Sequence, residues 1–108
     1  MIKFDEMQAT KIPNFYGGEG AIEATMVVDE LNKILKGRLV KGSSIGLHKH
    51  ETSSEIIFIL SGVGKTICDG VEEKLQSGDC HYCKKGSEHT LINIGDDDLI
   101  FYAVVPQQ

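Results

Sequence analysis

Turn-forming residues set the rhythm of this chain. Gly, Asp, Asn and Ser recur at short intervals, and between them stand apolar runs of four to seven residues. Runs this short, bounded in this way, read as strands rather than amphipathic helices. The pattern predicts an all-β fold with candidate strands at Ile22–Val28, Ile34–Val40, Ser43–His50, Glu55–Leu60, Gly64–Cys68, Val71–Leu75, Asp79–Lys84, His89–Ile94 and Leu99–Val105. Asp69–Gly70 between two such runs is a two-residue hairpin signal, because both residues tolerate the positive φ of a type I′ turn. One helix competes, at Asp29–Lys36, where Leu31, Ile34 and Leu35 have helical spacing behind an Asp able to cap an N-terminus. It would be two turns long, and isolated helices of that length gain little, so a strand beginning near Ile34 is preferred. Residues 1–20, with Pro13 and Gly17–Gly18–Glu19–Gly20, read as an N-terminal arm and a turn.

With 108 residues the chain can build one hydrophobic core but not two, so residues 1–108 are read as a single domain. The net charge is −5 and no Lys or Arg run exceeds Lys84–Lys85, which excludes the electrostatic footprint of a nucleic-acid binder. The longest apolar run, Leu99–Val105, is far too short to span a bilayer, and the N-terminus turns polar by its third residue. Neither a membrane partner nor a signal peptide is expected, and the default location is cytoplasmic. The three cysteines, Cys68, Cys80 and Cys83, are too few for a disulfide framework and are expected to stay reduced.

The chemistry concentrates between Gly42 and Gly62. His48 and His50 stand two apart, and strand alternation puts both imidazoles on one face with origins roughly 7 Å apart. On a helix the same pair would diverge. After the polar loop Glu51–Ser54, Glu55 opens the next strand, where a hairpin neighbour can present its carboxylate beside the two rings. Nitrogen with oxygen donors suits manganese, iron, cobalt, nickel, copper or zinc better than calcium or magnesium. Glu51 is a competing ligand, but on a continuing strand it faces away from the histidines. An isolated histidine is more often a surface residue; the constellation is what points to a metal.

Gly42, His48, His50, Glu55 and Gly62 have the spacing of the first motif of the cupin superfamily, and the chain resembles that superfamily at every fixed position of it. The stretch GDCHYCKKGSEHTLIN, residues 78–93, is similar to the second cupin motif, with Gly78, Gly86, His89 and Asn93 in register and Lys84 where the pattern has proline. The loss of that proline is expected to loosen the turn without abolishing the site. The resemblance implies a single-domain cupin, a jelly-roll β-barrel, with His48, His50, Glu55 and His89 holding one divalent transition metal ion. The fourth ligand, His89, follows from the family pattern alone.

His81 and Cys83 share one face of their strand and Cys80 and Tyr82 the other, and the sequence does not say which pair lines the interior. The Cys80/Cys83 pair is read as structural, since three residues along a strand send the two sulfurs to opposite faces. Gly46, inside a candidate strand two residues before His48, suggests a bulge or a close backbone approach. Four protein ligands leave an octahedral ion two open positions, and one carboxylate leaves a charge of about +1, so an anionic or bidentate small molecule is the expected guest. An oxygenase, decarboxylase or isomerase and a non-catalytic binding module both remain open, because the fold hosts both. Strands Glu55–Leu60 and Leu99–Val105 are apolar on both faces, which implies cover from the arm or from a second subunit, and a homodimer is expected.

Overall fold

The computed structural model describes residues Met1 to Gln108 and is built almost entirely of strands. In chain order these are β1 (Thr10–Pro13), β2 (Ala21–Val28), β3 (Asn32–Leu39), β4 (Ser44–Lys49), β5 (Glu55–Ser61), β6 (Val63–Cys68), β7 (Val71–Gln76), β8 (Cys80–Cys83), β9 (Glu88–Asn93) and β10 (Leu99–Pro106). Short 3-10 turns occupy Phe4–Glu6 and Phe15–Gly17, and no helix is long and apolar enough to cross a membrane. All nine sequence-predicted strands are present, with ends displaced by no more than two residues. The Asp29–Lys36 helix does not form. Asp29 does cap backbone groups, but its Oδ1 accepts from the amides of Leu31 (2.9 Å) and Asn32 (2.7 Å), closing the turn from β2 to β3.

One strand lies where only an arm was expected. Thr10–Pro13 pairs antiparallel with Ala21–Ala24 and forms the edge of the larger sheet. An edge position tolerates Pro13, whose missing N–H faces no partner strand.

Two hydrogen-bonded sheets face each other, one in the order β1-β2-β3-β10-β5-β8 and the other β4-β9-β6-β7. The barrel is this pair of sheets rather than a cylinder closed by hydrogen bonds. Alternation drives the packing: along β10, Leu99, Phe101, Ala103 and Val105 are buried, while Tyr102 between them is exposed. Gly37, opposite Phe101 on β3, lacks the Cβ that would overlap its ring. At the β6–β7 turn, Asp69 (φ 49°) and Gly70 (φ 80°) have the positive φ of the expected hairpin.

The exterior of β5 and β10 is covered only in part. The arm lays Phe4 on Tyr102, with ring centroids 5.7 Å apart, and leaves Phe58 and Tyr82 about half exposed.

Candidate metal centre

Three strands and the segment that follows one of them converge on one group of side chains. β4 delivers His48, the residue after β4 is His50, β5 begins with Glu55, and β9 carries His89 directly opposite His48 in register. The expected bulge is present: the β4–β9 register shifts between Ile45 and His48, on either side of Gly46. Gly46 is also a close approach, since a Cβ there would overlap the Tyr16 carbonyl oxygen. That contact seats residues 16–18 on β4, and the Tyr16 ring stacks on His48 with centroids 4.2 Å apart.

The four side chains are brought together tightly. His89 Nε2 lies 2.8 Å from Glu55 Oε1, 3.1 Å from His50 Nε2 and 3.2 Å from His48 Nε2; His50 Nε2 is 3.1 Å and His48 Nε2 3.8 Å from the same carboxylate oxygen. All four donor atoms fall within 4.8 Å of one another, a set that could hold a metal ion. Donors at about 2.1 Å from a shared ion stand roughly 3 Å from their neighbours, so the spacing fits. Exposed Glu51 is not in the group.

Protons sharpen the fit. On each ring the Nδ1 has its own partner: Gly46 O for His48 (2.8 Å), Ser53 Oγ for His50 (3.1 Å) and His81 Nε2 for His89 (2.9 Å). The Gly46 carbonyl can only accept, so His48 carries its proton on Nδ1 and turns a bare Nε2 to the centre. With the same tautomer in the other two, three lone pairs and one carboxylate oxygen meet with no cationic side chain among them. Burial pushes the Glu55 carboxyl up, but in the ion-free protein, where protons on the rings take the place of an ion, hydrogen bonds from His48, His50 and His89 outweigh it and hold the carboxyl well below the usual range.

Lys84, where proline was expected, is exposed, and other bonds hold its turn. Ser87 N–H donates to Lys84 O (2.9 Å), Gly86 N–H to His50 O (2.6 Å) and His50 N–H to Ser87 O (3.0 Å). These tie the second motif to the first at His50.

The comparisons with known proteins match this architecture. Residues 35–105 match the family model of the cupin domain. The chain belongs to the cupin family. Over 111 residues this cupin is 33% identical to a protein of Thermotoga maritima named an oxalate-binding protein, covering 97% of this chain and 92% of that one. It is also similar to a solved structure from the same organism, described as a predicted oxalate decarboxylase, with a TM-score of 0.94, 31% identity and coverage of 100% and 99% of the two chains. An RmlC-like cupin from Shewanella frigidimarina shares the fold, with a TM-score of 0.82, 15% identity and coverage of 100% and 90%.

Two residues touch the cupin's donor histidines in a way that the sequence does not assign. Alternation left open which face of β8 is inward; it is the His81/Cys83 face, with Cys80 and Tyr82 outside. His81, the one histidine outside the donor set, is buried and bonded to His89. Burial first, then the neighbouring His89, push the His81 imidazole's pKa down. Tyr16 gave no sequence signal because its place depends on left-handed backbone at two non-glycine residues, Asn14 (φ 50°) and Tyr16 (φ 52°). Cys68, solitary in the sequence, has its thiol beside that of Cys83 on the facing sheet.

A cavity of about 30 Å³ adjoins His50 and Glu55. Ten of its thirteen lining residues are hydrophobic, among them Phe15, Tyr16, Ile45 and Phe101, and Lys33 is its ammonium-bearing member.

Proposed function

We propose that His48, His50, Glu55 and His89 hold one divalent transition metal ion, and that the protein uses it to capture a small dicarboxylate of the oxalate type. The observation that carries this reading is the convergence of three Nε2 atoms and one carboxylate oxygen, each ring anchored through its opposite nitrogen. The bound ion would supply Lewis acidity and open positions for two oxygen atoms. The chain's own residues set the rest. One carboxylate against a divalent ion leaves a local charge of about +1, and Lys33 is the basic residue among those that line the cavity. The small volume of the cavity favours a compact guest. The apolar wall strengthens the attraction between ion and anion by excluding water. The names of the Thermotoga maritima relatives point to the same ligand class.

Elemental analysis of the purified, untagged protein beside His50→Ala tests the ion. A near-stoichiometric metal, lost in the variant, is expected; equal metal in both would refute the assignment. Oxalate should raise the melting temperature only in the metal-loaded protein, by an amount that follows its concentration over its dissociation constant. An equal rise after metal removal would sink the dicarboxylate reading.

A second reading is turnover, a decarboxylase, oxygenase or isomerase built on the same ion. Tyr16 and Lys33 favour it, as proton-bearing side chains at the cavity wall outside the ligand set. Carbon dioxide released from oxalate by the loaded protein, and lost in His50→Ala, would decide for decarboxylation.

The uncovered exterior of β5, β8 and β10 supports a homodimer, with Phe58 and Tyr82 at its centre. A monomeric mass by light scattering at micromolar concentration would remove that part of the reading.

A further inference from the structure

Resting on the metal reading above, we infer that His81 and Glu73 complete the site from outside as a carboxylate–imidazole–imidazole relay that fixes His89 for the ion. His81 is a positioning residue here: it acts through His89.

The relay follows from where protons can be. A metal ion on His89 Nε2 needs the lone pair of that nitrogen, so the His89 proton must sit on Nδ1. That atom faces His81 Nε2 at 2.9 Å, in a nearly solvent-free setting, with the two rings close to parallel at 24°. His81 Nε2 must then accept, which puts the His81 proton on Nδ1. Nδ1 is buried and makes no hydrogen bond of good geometry, but the nearest charge is Glu73 Oε1 at 3.4 Å. A modest closing of the Glu73 side chain, which is more than half exposed and free to move, gives the buried N–H its acceptor.

Each link has a sequence cause. Alternation along β8 turns His81 inward, and β9 carries His89 at an inward position. Glu73 stands on β7, at the edge of the four-stranded sheet, opposite Thr66 in register. The chain Glu73–His81–His89 therefore runs from solvent to the centre and crosses from one sheet to the other and back. Its chemical effect is to lock one tautomer and ring orientation and to raise the basicity of His89 toward the ion. Neither His48 nor His50 has such support: their Nδ1 atoms meet a backbone carbonyl and a serine hydroxyl.

The test uses zinc(II), which is diamagnetic, on the full-length protein. Imidazole nitrogen correlation spectra of the zinc-loaded wild type should show His89 and His81 both protonated on Nδ1. Zinc affinity, measured by competition with a chromophoric chelator, should fall about 10- to 100-fold in His81→Leu, which removes the acceptor. It should be largely retained in His81→Gln, whose side-chain carbonyl can accept the same proton, and fall only a few-fold in Glu73→Gln. A merely structural His81 would give the opposite pattern, with apo stability altered and zinc affinity equal in the Leu and Gln variants. A His81 proton on Nε2, or His81→Leu with wild-type affinity while His50→Ala loses zinc, overturns the relay and leaves the metal site standing. Should His81→Leu not fold, the wild-type tautomers and Glu73→Gln decide. Failure of the wild type itself to bind zinc, manganese or nickel overturns both readings together.

Discussion

The two sheets divide the molecule's work unequally. Of the twelve buried residues in the hydrophobic core, the four-stranded sheet contributes Ile45, Leu75 and Leu91, and the six-stranded sheet supplies all the others. The donor set is skewed the other way. His48 and His89 lie on the four-stranded sheet and His50 directly follows its strand β4, whereas the six-stranded sheet provides Glu55 alone. The inner face of the smaller sheet is accordingly mixed, with Thr66, His89 and Asn93 buried beside Ile45, Leu75 and Leu91. One sheet supplies most of the apolar burial and the other most of the proposed metal donors, so a substitution away from Glu55 in either should report mainly on one property.

The largest expected effect tests the core side of that division. Phe101, fully buried in the central strand β10, packs on Gly37, and Phe101→Ala should cost about 3–5 kcal/mol of folding stability. Urea denaturation of the apo protein measures it. At a denaturant concentration where the variant is still folded, its metal affinity should match the wild type's, because the hydrogen bonds that anchor the donor rings do not involve Phe101. A joint loss of affinity would mean that the cavity wall, which includes Phe101, holds the donors in place and that the two sheets are not separable.

A smaller effect tests the chemical side. Thr66 lies on the inner face of β6, fully buried, and its hydroxyl has no hydrogen-bond partner. A buried unpaired hydroxyl costs about 1–3 kcal/mol, so the near-isosteric Thr66→Val should raise stability by about 1 kcal/mol. Calorimetry of the apo protein checks this. Destabilisation would show that the hydroxyl has a partner in solution, and a change in metal affinity would enlarge the set of polar residues that serve the site.

How much of this division can be read from the sequence depends on whether a feature is local. The strands are legible because inward and outward residues alternate within each run, as in Leu99–Val105. His48, His50 and Glu55 are legible together because a short loop and two strands carry all three. His89 lies 41 residues beyond His48, and only the resemblance to the second cupin motif joins them; the β4–β9 register that makes them neighbours is a property of the topology. β1 escapes notice because an exposed edge strand of four residues needs no alternation. His81 escapes for a different reason: alternation offered two faces of β8, and nothing local chooses between them.

β8 is where the contrast between the sheets fails, and the last prediction is aimed there. This strand is an edge of the six-stranded sheet, yet its inner face meets the chemical sheet through His81, while Cys83 packs beside Glu55 in register. Burial, then the neighbouring Cys68, push the Cys83 thiol up to about 12, and outward Cys80 is exposed on the same strand. Alkylation needs the thiolate, so iodoacetamide at pH 8 should label Cys80 first and leave Cys83 intact until the protein unfolds, as peptide mass spectrometry would show. The linkage has a definite sign. The folded state keeps a proton that the unfolded thiol releases near its ordinary value of 9.0, so this contribution is whole below pH 9 and is lost as pH rises toward 12. Cys83 labelling at the rate of Cys80 in the folded protein would mean that β8 detaches from β5. The inner face carrying His81 would then be a mobile boundary between the sheets rather than a fixed wall.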